Sequence, residues 1–199
     1  TQQPWTIRQY AGFSTAEELV RGTNAHDAKA MLALNLGELA LVSRDFPEGM
    51  AAFRKAQSLI SESSPHFFST MATAGAGLCS LYSGDLADAR ARESELPPAP
   101  DFWTFDPFLV TVFKARMLLK RQDARRAWDL LRTVREGVKD RLVPAWMRLT
   151  LEEAALRRRS DRSTALILVN EGLEYARGFE VPELERQFCR FRSALSSGT

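Results

Sequence analysis

The sequence predicts an all-helical protein built from a repeated pair of helices. Apolar residues recur at steps of three and four along most of the chain, the spacing of a half-buried helix. Strand-forming alternation is scarce, while Ala, Leu, Arg and Glu are abundant. A small residue also returns at one place in the pattern, after a short polar turn: Gly49, Ala89, Ala127 and Ala165, spaced by 40, 38 and 38 residues.

The first pair of helices sets the plan. In Leu34 to Ala56, Leu34, Leu36, Leu39, Leu41 and Val42 give the first helix a broad apolar face. Gly37 costs that helix roughly 1 kcal/mol against Ala, which points to a close approach by a neighbouring helix. Asn24 or Asp27 is expected to cap the first helix, which runs to about Ser43. Arg44-Asp45-Phe46-Pro47-Glu48 is the turn, and Pro47 suits the first position of a helix running to about Glu62. There Met50, Phe53, Ala56 and Leu59/Ile60 share a face, with small Ala56 one turn after bulky Phe53.

Three more copies follow. The second starts near His66, holds Met71, Leu78, Leu81 and Tyr82, and places Gly75 and Gly77 at the close-approach position. It turns at Gly84-Asp85-Leu86 and ends before Pro97-Pro98-Ala99-Pro100, a run that forbids helix. The third spans Pro107 to Lys120 and Ala124 to about Lys139, turning at Gln122-Asp123. The fourth spans Pro144 to Arg158 and Ser163 to Arg177, turning at Ser160-Asp161. A last helix, Pro182 to Leu195, lines up Leu184, Phe188, Phe191 and Leu195 as a cap over the exposed end.

Leu36-Gly37, Phe46, Phe53 and Ala56 together resemble the tetratricopeptide repeat. The resemblance implies a right-handed solenoid of antiparallel helix pairs, with about four hairpins and a capping helix, over residues 23–199. Standard repeats of that family are about 34 residues long, so each copy here carries about one extra helical turn, or ~6 Å. Longer repeats of this kind are similar to the sensor arms of bacterial signal-transduction ATPases that activate transcription. That likeness gives a second reading, a regulatory arm of a larger activator that binds an effector or a partner protein. The absence of an initiator Met fits an excised or processed piece.

Residues 1–22 differ from the rest. PWTIRQYAGFSTAEE, Pro4 to Glu18, resembles a segment near the start of the catalytic region of methylmalonyl-CoA mutase. The resemblance implies acyl-CoA contacts for Thr6, Arg8 and Tyr10. The glycine-rich continuation and the DxHxxG cobalamin motif are both missing, so the strip is expected to be an appended segment without turnover. Its Trp5, Ile7, Tyr10 and Phe13 favour docking on the array or on a second copy, which would support a homodimer.

No phosphate loop, HExxH, GxSxG or CxxC occurs, and no enzyme activity, cofactor or metal is expected. Cys79 and Cys189 read as thiols of a reducing compartment, and a cytoplasmic location is expected. No apolar run is long enough to span a membrane. The formal net charge of +2 hides a polarity: residues 1–110 carry 8 Lys/Arg against 13 Asp/Glu, and residues 111–199 carry 19 against 12. The densest basic run, Arg157-Arg158-Arg159, falls at a helix C-terminus, where cations meet the negative end of the dipole. Glu152-Glu153 precedes it, with Arg157 in i,i+4 register. Nucleic acid is not expected to be contacted directly.

The repeat resemblance implies a concave groove lined by the first helix of each pair and filled by a protein or peptide partner. Its candidate lining is Met31, Asn35, Glu38, Met71 and Tyr82 in the first half, then Leu109, Arg116, Met147, Leu151 and Arg157. An Asn such as Asn35 can donate to and accept from one peptide bond of an extended ligand. The Lys/Asn clamp with which chaperone-binding members hold a C-terminal carboxylate is missing, so no such ligand is expected.

Overall fold

The computed structural model describes residues 25–61, 64–97 and 107–197. Among these residues the chain forms nine α-helices and no strand. Two compact units divide it, residues 1–99 and 100–199. The first contains α1 (His26–Ser43), α2 (Phe46–Leu59), α3 (His66–Ser83) and α4 (Leu86–Glu95). The second contains α5 (Phe108–Lys120), α6 (Ala124–Val138), α7 (Val143–Arg157), α8 (Arg162–Gly178) and α9 (Pro182–Ser196). The division falls inside the proline-rich run. The expected boundary between residues 22 and 23 lies outside the described residues, as does the strip with Thr6, Arg8 and Tyr10. No described helix is long and apolar enough to cross a membrane.

Four aspartates begin the second helices. Asp45, Asp85, Asp123 and Asp161 each accept, on a side-chain oxygen, the backbone N–H three residues on, at 3.0–3.2 Å. Each satisfies a helix donor that has no partner within the helix. In the first three turns the preceding residue is left-handed: Arg44 at φ 60°, Gly84 at 87° and Gln122 at 63°. The Asp N–H then reaches back five residues to a carbonyl, Ala40, Ser80 or Leu118, at 2.9–3.0 Å. That closes the preceding helix with a Schellman bond, so one pair of residues ends one helix and starts the next. The α7–α8 turn is built differently, with the Asp161 N–H on the Arg157 carbonyl at 2.8 Å. At the start of α1, Asn24 lies outside the described residues and the expected capping by Asp27 is not formed. The cap position is Ala25, with no side-chain cap bond, and Asp27 sits inside the first turn, where its carboxylate accepts from Ser64 Oγ at 2.5 Å.

In the first unit each helix packs on the next, and α1 also packs on α3. The fully buried Phe53 of α2 explains how. Its ring lies over Gly37 of α1 and Gly75 of α3, and a β-carbon at Gly37 would come within 2.7 Å of it. One at Gly75 would meet the same ring atoms still more closely. Gly49 opens the opposite contact, where Cys79 Sγ would stand 2.9 Å from an added β-carbon. Burial pushes the Cys79 thiol up to about 12. α3 is the central element: every residue from Thr70 to Leu81 is buried, as expected of a helix without a polar face.

The second unit repeats the contact pattern. Each helix packs on the next, α5 also packs on α7, and α7 on α9. Ala127 and Ala165 are fully buried at the small-residue positions. Gly172 of α8 receives the ring of Phe188 from α9, the counterpart of the Phe53 seat. Phe188 and Leu195 are buried and Leu184 and Phe191 half-buried, so the expected stripe of α9 faces inward.

Two predictions follow from this packing. Gly75→Ala gains helix propensity but drives a methyl into a buried ring, so urea unfolding should show a loss of roughly 1–3 kcal/mol. Gly137→Ala in α6, where nothing lies within 4 Å of the added carbon, should instead gain up to about 1 kcal/mol. The second concerns Asp88, which accepts from Arg92 Nε at 2.6 Å and also from Ser80 Oγ. The Arg92 hydrogen bond holds its carboxyl below the ordinary 3.8. A depressed acid stabilises the fold above its unfolded pKa and ceases to do so as the pH falls through its folded pKa. Stability measured from pH 6 downward should therefore fall less in Asp88→Asn than in the parent protein as the pH drops below about 4.

Candidate functional site

The candidate groove residues divide between the units. In the first, Asn35 is exposed on α1, Met31 and Glu38 are half-buried beside it, and Met71 of α3 is buried. Tyr82, half-buried at the end of α3, packs against Phe46 in a tilted arrangement with ring centroids 5.1 Å apart. In the second, Leu109 and Met147 are buried in the core, and Leu151 is half-buried. Met71, Leu109 and Met147 thus hold helices together and present little to a ligand in this conformation. Arg116 and Arg157 are taken up in ion pairs; that of Arg157 with Glu153 follows the expected i,i+4 register, while that of Arg116 with Glu152 joins two helices.

Those pairs belong to a network across the second unit. Arg116 of α5 donates to Glu152 of α7. Glu153, the next residue, is only 3% exposed and sits between two guanidinium groups. Arg157 Nε donates to one of its oxygens at 2.9 Å, and Arg135 Nε of α6 lies 3.3 Å from the other. Arg135 continues to Glu171 of α8 at 3.2 Å, and Lys139 meets the same carboxylate at 3.0 Å. Arg157 also approaches Asp161 at 3.5 Å. From Lys139 to Asp161 the charges alternate without interruption.

Aromatic rings flank this network. Lys139 lies 4.8 Å from the Tyr175 ring centroid and 5.3 Å from that of Trp146, while Arg157 lies over Trp128 at 4.4 Å. Bonding to Glu171, and then to Tyr175, raises the Lys139 pKa above its ordinary value and keeps it charged. Low local polarity strengthens each attraction, but it also makes loss of one partner costly.

The Glu153–Arg157 pair was readable from its spacing. The other members were not, because Arg135, Lys139 and Glu171 meet only once α6, α7 and α8 are packed. One signal was available afterwards: Arg116–Glu152 and Arg135–Glu171 both span 36 residues, close to the repeat length. They join equivalent helices of successive copies, first to first and second to second.

No family model, curated protein or solved structure matches the chain.

The network predicts unequal costs. Glu153→Gln leaves Arg135 and Arg157 facing one another without the shared charge, and urea unfolding should register a loss of roughly 3–5 kcal/mol. Arg132→Ala removes only the exposed pair with Asp129 and should cost under about 1 kcal/mol.

Proposed function

We propose that the chain is a non-catalytic binding scaffold for a protein or peptide. In this reading each unit is a short stretch of tetratricopeptide-like array, with antiparallel helix pairs stacked in the right-handed sense and α9 closing the second stretch. The supporting observation is the fourfold Asp-capped turn at a recurrence of 38–40 residues, together with first helices that pack on first helices. Stacking of this kind leaves one face of a first helix to a partner, except in α3, which is buried from Thr70 to Leu81. In the first unit that face is Asn35 with Met31 and Glu38, and the exposed Asn35 amide is suited to hold the backbone of an extended segment. In the second unit it is Leu151 beside the Arg116–Glu152 pair.

Site-specific photo-crosslinking in the source cell tests the proposal. A crosslinking residue at Asn35 or Leu151 should capture a discrete protein adduct, and one at the exposed Arg90 of α4 should not. Capture that is equal at all three positions, or strongest at Arg90, would remove the groove reading. Asn35→Ala should weaken the captured interaction by roughly 0.5–1.5 kcal/mol through one lost hydrogen bond, with an unchanged melting temperature.

A further inference from the structure

The second unit gathers cations at one end. Arg116, one turn before the end of α5, pairs with Glu152, a little over one turn before the end of α7, so the two helix ends lie level. Arg157 rests on Trp128, just inside the start of α6. These contacts bring the α5–α6 turn and the α7–α8 turn together. Lys120, Arg125, Arg126, Arg158, Arg159 and Arg162 all lie in or beside them, and all are exposed except the half-buried Arg158. Asp123 and Asp161 are the acids in these turns, and each is committed as a helix cap. Among the described residues no carboxylate pairs with Lys120, Arg125, Arg158 or Arg159. The Arg126–Asp123 pair is long, at 3.5 Å, with the Arg126 side chain 76% exposed.

Two members of this cluster, Arg125 and Arg126, stand where the fold disfavours them. Arg158 and Arg159 follow a helix C-terminus, where cations are favoured. Arg125 and Arg126 stand in the first turn of α6, where the helix dipole opposes them, whereas Arg162, which opens α8, donates to the Leu195 carbonyl of α9. The first unit does the reverse at the same repeat position: Glu48 and Asp88 occupy the first turns of α2 and α4. Electrostatically unfavourable cations beside committed caps are what an external anion would compensate.

We infer that this end of the second unit docks an acidic polypeptide segment. Guanidinium forks match carboxylates bidentately. The aromatic ring within the cluster, Trp128, is already covered by Arg157 and offers no platform for a nucleobase. The surface lies at helix ends rather than along the first helices, so it is separate from the groove proposed above and stands or falls independently of it.

The test uses the full chain and fluorescence anisotropy, with a short labelled Asp/Glu-rich peptide and a short labelled DNA duplex as probes. The peptide should bind, and more tightly than the duplex at ~0.15 M ionic strength. Arg125→Gln with Arg126→Gln, and separately Arg158→Gln with Arg159→Gln, should each weaken peptide binding about tenfold. The first double variant should also melt at a higher temperature than the parent, because it removes cations from a helix N-terminus. A control, Arg54→Gln with Arg90→Gln in the first unit, removes the same charge and should leave binding unchanged. The inference is overturned by no peptide binding, by equal loss in the control, or by tighter binding of the duplex.

Discussion

The first unit depends on one ring. Phe53 projects from α2 into a slot that exists only because Gly37 and Gly75 have no side chains. A close-packed interior tolerates neither a void nor an overlap there. The ring therefore fixes the separation of α1 from α3 as well as the depth at which α2 lies on both. This accounts for helix glycines that would otherwise only weaken their helices. It also explains why α1 reaches α3 directly: the bulky residue is supplied by the intervening helix, and its two neighbours give way. Phe188 over Gly172 applies the same device between α8 and α9.

Packing of this kind needs helices that stop and restart in register, and the turns provide it. The left-handed residue followed by Asp closes one helix with its backbone and opens the next with a side chain. Only Gly84 takes the left-handed position without strain. Arg44 and Gln122 adopt it at some cost, held there by the two Schellman bonds on one side and the Asp cap on the other. The geometry of the turn is thus set by its neighbours on both sides as well as by its own sequence.

Much of this was legible in the sequence. Helix content, the turns, the close-approach glycines at 37 and 75 and the small residues at 49, 89, 127 and 165 follow from local spacing. The capping aspartates also stand at a fixed place in the sequence, four residues ahead of each small residue. The lining of the candidate groove was harder to read. A first helix in a stack is touched by its own partner and by first helices of adjacent pairs. Its apolar positions are therefore shared among several contacts, and Leu109 and Met147 went to the core. Arg116 looked free because its partner, Glu152, could be assigned to it only with α5 and α7 placed together, whereas the Arg157–Glu153 pair shows in the i,i+4 spacing.

The two units also differ in how their helices are joined. The first relies on small residues and one aromatic ring, with α3 buried along its central turns. The second places a row of alternating charges between α6, α7 and α8, fenced by Trp128, Trp146 and Tyr175. Buried ion pairs of this type add little net stability over apolar packing, since desolvation offsets most of the attraction. Their demand for matched partners is strict, however. A slip of one turn between α6 and α7 would set Arg135 against the wrong side chain and leave Glu153 charged and unpaired. The same arrangement explains how a unit so rich in arginine folds: its inner guanidinium groups are neutralised by Glu152, Glu153 and Glu171.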